Sequence, residues 1–154
     1  MNNSDIQRLQ HIRRYCEDIA EFIERFGKDF ETFTEDRAFS NAVSMCVLQI
    51  GELANGLSDE FREETKGEMP WGMIRGMRNW IAHAYAEMDE SIIWETATND
   101  IPGLLAFCNR IIEQNLEKEP VGKPSVLAKL HAERKNPETV QRKPGVKNRD
   151  DWER

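Results

Sequence analysis

Residues 34–57 read TEDRAFSNAVSMCVLQIGELANGL, and this stretch decides the fold. Ala38, Ala42, Met45, Cys46, Ile50, Leu53 and Leu57 recur at helical spacing, with Gln49 as the one polar exception on that face. Val43 and Val47 widen the apolar stripe beyond what a single neighbour needs, so the helix must pack on more than one partner. Thr34 can serve as its N-cap, and Asn55-Gly56 stops it. The spacing therefore predicts a helix over 35–56 in a helical bundle.

Outward from that helix the same period continues. Ile6, Leu9, Ile12, Cys16, Ile19, Ile23 and Phe26 predict a first helix over 5–26. It would open on a Ser4/Gln7 capping box and close at Gly27. Residues between Gly27 and Thr34 look like a short connector holding Phe30 and Phe33. Ser58 can start a short helix over 59–65. Pro70 suits the first turn of a helix running from Trp71 to about His83. Asp89 can cap a fourth long helix that continues to about residue 117, with a kink or break at Pro102. No strand-like alternation competes. The expected architecture is all-α, an antiparallel bundle of four main helices over residues 1–117.

Residues 118–154 change character: Pro and Gly punctuate them, and only 125–134 could form a helical stretch. They hold ten Lys or Arg against six Asp or Glu, about +4. With −7 on the whole chain, the first 117 residues carry about −11. An acidic body disfavours sequence-blind coating of nucleic acid, which needs dense Lys and Arg, but allows a local site. The basic segment would be an extended or disordered tail.

The apolar runs are too short for a membrane span, and MNNSDIQRLQ lacks the order of a signal peptide, so a cytoplasmic location is expected. Cys16, Cys46 and Cys108 lie far apart among apolar helix positions and read as buried, reduced thiols. The three histidines form no HxxxH or HxxE pair, so no metal site is expected.

Chemistry concentrates in residues 78–85, RNWIAHAY. Asn79 and His83 are four apart and share a helix face, and Arg78 and Tyr85 share a neighbouring one if the helix persists. Arg offers a permanent charge and a planar fork for phosphate oxygens. His can move a proton near neutral pH. Together they could cleave RNA without a metal: a histidine accepts the ribose 2′-hydroxyl proton, the arginine stabilises charge at phosphorus, and an acid protonates the leaving 5′-oxygen. One chain supplies one such histidine, and a two-fold dimer would supply a second. Spacing alone equally allows a structural Arg and His. Trp71, Trp80 and Trp94 read as core or interface residues, and Met69, Met73, Met77 and Met88 as packing.

The ordered blocks EDRAFSNAVSMCVLQIGELANGLSDEFRE, MPWGMIRGMRNWIAHAY and DESIIWETATNDIPGL resemble the HepT-like branch of the HEPN superfamily, over roughly residues 5–116. The family motif of Arg, a polar residue and a later His-x-Tyr is matched by Arg78, Asn79, His83 and Tyr85. The resemblance implies a homodimeric toxin of a toxin–antitoxin pair. It would be a metal-independent ribonuclease with Arg78 and His83 catalytic in a cleft at the dimer interface, needing no cofactor. Asn79 would orient them, and Glu52, within the matching Gly51-Glu52 pair, could contact Arg78 or His83. The implied partner is an MNT-type nucleotidyltransferase antitoxin that adds AMP to Tyr85. The bulk and charge of AMP there would keep RNA out. Ala84 departs from the glycine that relatives often carry after the histidine, and the tail lies beyond the family core. The alternative is a dimer of the same fold that binds a nucleotide or protein partner without cutting RNA.

Overall fold

The computed structural model describes residues 1–83 and 89–118, with side chains described over 1–81 and 89–117. Those residues are all-α. The elements are α1 (Asn3–Phe26), α2 (Phe30–Glu35), α3 (Arg37–Asn55), α4 (Asp59–Thr65), α5 (Trp71–His83), α6 (Glu90–Glu95), a π-helical turn (Thr96–Asp100) and α7 (Ile101–Lys118). The four main helices are α1, α3, α5 and the broken α6–α7 rod.

The central helix behaves as its wide stripe demands. Phe39, Val43, Val47 and Ile50 are fully or almost fully buried, and α3 packs on α1 and α5. Leu9, Ile12, Cys16 and Ile19 fill the matching face of α1, which also packs on α7. Aromatic rings close both ends. Phe26, Phe33, Phe39 and Trp94 meet at centroid distances of 5.1–6.2 Å. Phe61, Trp71 and Phe107 form the second cluster, where Trp71 Nε1 donates to Thr65 Oγ1 at 2.8 Å. No helix among the described residues is long and apolar enough to cross a membrane.

Three sequence expectations need correction. The connector before α3 is itself a helix, α2: Asp29 caps it by accepting from the Thr32 amide at 2.8 Å and its hydroxyl at 2.9 Å. Consequently α3 is capped by Asp36, which accepts from the amides of Ala38 and Phe39, and not by Thr34. Thr34 lies inside α2, its hydroxyl spent on the Glu31 carbonyl. The first helix starts earlier, from an Asn2/Asp5 capping box and not Ser4/Gln7, because Asp5 also reaches across to Ser58. Gly27 ends α1 with φ +149°, a conformation that a Cβ would strain. Ser58 and Asp89 cap α4 and α6 as expected.

The interruption expected at Pro102 is present but sits upstream. Pro102 has no N–H to donate and is tolerated in the first turn of α7. The preceding five residues widen into the π turn, where the Ile101 amide donates to the Thr96 carbonyl. Met73, expected to pack, is 76% exposed and does not pack on the described body. The expected stretch 125–134, the rest of the basic segment, Ala84 and Met88 lie outside the described residues.

Candidate functional site at the α3–α5 seam

Gly51 decides how close α5 comes to α3. A Cβ built on it would lie 3.1 Å from the Arg78 amide nitrogen, 3.1 Å from the Ile74 carbonyl oxygen and 3.2 Å from Arg78 Cβ. The neighbours are backbone, so only glycine allows the two helices to touch here without a shift. The mid-helix glycine, disfavoured by propensity, is explained by that contact.

The close crossing sets side chains along one antiparallel seam. Arg78 Nη1 meets Glu52 Oε2 at 3.2 Å, and Arg78 Nε donates to Asn79 Oδ1 at a long 3.4 Å. The Arg78 side chain is 36% exposed and that of Glu52 50% exposed. An ion pair so open to water is worth about 0–1 kcal/mol. The two non-bridging oxygens of a phosphodiester, which share one negative charge, could therefore displace Glu52 from the guanidinium and gain a bidentate contact. One turn nearer the N-terminus of α5, Arg75 Nε donates to Asn55 Oδ1 at 3.0 Å.

Glu52, Arg78 and Asn79, named from the sequence, are thus brought together. The α5 backbone stays helical to His83, so positions 79 and 83 are one turn apart on one face. The His83 side chain and all of Tyr85 lie outside the described residues. Two residues escaped the sequence reading: Arg75 and Asn55. Nothing in their spacing pairs residues twenty positions apart; only the Glu52–Arg78 contact fixes the register in which they oppose each other. On α3, Ser44 Oγ is buried without a hydrogen-bond partner among the described residues, two turns before Gly51.

The cysteines are poor nucleophiles. Burial pushes the Cys46 thiol up to about 11 and the Cys108 thiol up to about 12, and raises Cys16 further still. Among the described residues no group of three or more His, Cys, Asp or Glu could hold a metal ion.

Comparison with known proteins returns one consistent family. The HepT-like ribonuclease family ("Ribonuclease HepT-like") matches residues 12–111. A candidate RNase of Caldanaerobacter subterraneus subsp. tengcongensis is 35% identical over 111 residues, covering 72% of this chain and 93% of its own. A candidate RNase of Methanocaldococcus jannaschii is 32% identical over 110 residues, 71% and 92% of the two chains. A probable ribonuclease HepT of Thermococcus cleftensis is 36% identical over 95 residues, 58% and 86%. No solved structure gives a significant match.

Proposed function

Since this chain belongs to the HepT-like ribonuclease family, we propose that it is an RNA-cleaving toxin whose site is the α3–α5 seam. The observation that carries this reading is the partly exposed Arg78, with Glu52 as its one carboxylate among the described residues, on the helix that leads to His83. In the reaction, His83 accepts the proton of a ribose 2′-hydroxyl. The 2′-oxygen attacks phosphorus while Arg78 stabilises the charge that builds on the non-bridging oxygens. A second His83, from a second copy, protonates the departing 5′-oxygen. One product ends in a 2′,3′-cyclic phosphate and the other in a 5′-hydroxyl. No step needs a metal ion. Asn79 and Glu52 hold the guanidinium in place until the phosphate arrives.

The outward face of α5 supports a homodimer. Met73 and Trp80 are 76% and 58% exposed, and beyond Gly72 and Gly76 an added Cβ would meet nothing within 4 Å. A helix face of large apolar and very small residues suits close approach by another helix. The antitoxin in this reading is an MNT-type nucleotidyltransferase that adds AMP to Tyr85, closing the site by bulk and negative charge. Support for that regulation comes from the resemblance of RNWIAHAY to the family motif, and a cytoplasmic location fits it. Intact mass of the chain co-expressed with such a partner tests it: an added AMP absent from Tyr85→Phe is expected, and an unchanged mass contradicts it.

Cleavage is tested with unmodified protein, its AMP-free state established by intact mass, on end-labelled RNA in excess EDTA beside His83→Ala. Fragments with cyclic phosphate ends from the wild type alone are expected. If neither protein cuts a range of RNAs, tRNA included, the seam is a binding site and not a catalytic one.

A further inference from the structure

The seam has two rungs, and they differ in charge. Glu52 and Asn55 are three apart on α3; Arg78 and Arg75 are three apart on α5, running the other way. Glu52 faces Arg78 and Asn55 faces Arg75. The first rung is an ion pair. In the second, an amide orients the guanidinium through its Nε at 3.0 Å and leaves its charge intact. Four arginines of the described body pair with carboxylates: Arg13 with Glu17, Arg62 with Asp59, Arg78 with Glu52 and Arg110 with Glu68. Arg75 forms no ion pair among the described residues; what sets it apart from the other unpaired arginines is that an amide aims it on the seam one turn from Arg78.

Asn55 is itself fixed. It ends α3, and its carbonyl accepts from Arg62 Nη1 at 3.1 Å, while the same nitrogen also serves the Leu57 carbonyl at 2.6 Å. With Nε engaged, Arg75 keeps both Nη groups, the pair that grips a phosphate edge. Cβ atoms three apart on a helix lie about 5–6 Å from each other. That spacing is comparable to the step between successive phosphates of one RNA strand.

We propose that Arg75, oriented by Asn55, binds the phosphate adjacent to the scissile one in single-stranded RNA laid along the α3–α5 seam; this rests on the RNA-cleaving reading of Arg78. Asn55 is a positioning residue: a carboxylate there would hold Arg75 equally well but cancel the charge it offers.

The test uses the full chain carrying His83→Ala, so that RNA stays intact, and fluorescein-labelled single-stranded RNA titrated at several KCl concentrations. Arg75→Gln is expected to weaken binding about tenfold at low salt. It should also flatten the dependence of log Kd on log salt by about 0.7, the loss of one phosphate contact on a single strand. Asn55→Asp should do the same with Arg75 still present, and adding the uncharged Asn55→Ala to Arg75→Gln should cost nothing further, because both act on one contact. Arg75→Lys should recover the slope. A purely structural tie makes the opposite forecast, since Asn55→Asp replaces an amide contact by an ion pair and would leave RNA binding alone. Unchanged affinity and slope in Arg75→Gln and Asn55→Asp, both folded by their melting curves, overturns the proposal, and a further loss on adding Asn55→Ala to Arg75→Gln overturns the part given to Asn55. Protein that binds RNA with the expected slopes but never cuts it, with His83 intact, sinks the catalytic reading and leaves this phosphate site standing. Absence of any RNA binding by the parent chain sinks both.

Discussion

Asp5 and Arg78 both carry a charge to a place where separate segments of the chain meet. Asp5 is fully buried, and its carboxylate accepts from the Ser58 amide at 2.8 Å, the Ser58 hydroxyl at 2.7 Å and the Asn2 amide at 3.3 Å. Arg78 is about a third exposed and has one carboxylate at 3.2 Å. A buried charge survives only when its partners are complete, and Asp5 shows what completion looks like. It locks the start of α1 to the start of α4. Arg78 is held in direction but not saturated, so its remaining donors are available to a ligand. The contrast separates charge used to build the fold from charge kept for chemistry.

The largest stability effect should come from the first site. Asp5→Ala leaves the Ser58 amide and hydroxyl without their charged acceptor and should cost about 3 kcal/mol in urea unfolding. Below the melting range it should leave RNA cleavage unchanged. Burial alone would raise the Asp5 carboxyl, but the Ser58 and Asn2 hydrogen bonds, helped by Arg8, outweigh it and hold the group below the usual aspartate range. The folded state therefore favours the ionised form. The stabilisation is complete above about pH 4, the unfolded value, and fades as pH falls through the lower folded one. The gap between wild type and Asp5→Ala should narrow in acid; a gap that widens there would show that Asp5 is not held ionised.

Gly51→Ala comes next. The new methyl group meets the α5 backbone at 3.1 Å, so the helices must part, at a cost of about 1–3 kcal/mol. Because the shift moves Arg78 itself, cleavage should fall as well, unlike in Asp5→Ala. Equal melting losses with cleavage untouched would mean that the seam tolerates displacement. Smallest is Glu52→Gln. It removes one half-exposed ion pair and should change stability by under about 1 kcal/mol in the same unfolding assay. A loss of several kcal/mol would place Arg78 among the structural charges with Asp5.

Much of this was legible in the chain because the signals were local. Ser58, Pro70, Asp89 and Asn55-Gly56 mark helix ends by chemistry that acts within a few residues, and the α1 and α3 stripes are long enough to show a period. The six residues of α2 are too few for a period, so Phe30 and Phe33 passed for loop residues. Asn2/Asp5 and Ser4/Gln7 are overlapping capping patterns, and only the distant Ser58 decides between them. Pro102 announces a break, but where the backbone widens to absorb it depends on packing around residues 96–100. At the site, Arg78, Asn79 and Glu52 were legible through the motif they resemble. Asn55 and Arg75 were not, because their partnership exists only in the α3–α5 register. The placement of the His83 side chain and of Tyr85 lies outside the described residues, so their roles rest on the motif alone.

The most direct measurement compares Arg78→Ala with wild type in one preparation, reading single-turnover RNA cleavage in EDTA and thermal unfolding side by side. If Arg78 is charge kept for chemistry, cleavage falls by about 100-fold or more while stability changes by under about 1 kcal/mol. Cleavage that persists, or that drops only in step with a large loss of stability, would contradict it and return Arg78 to the fold.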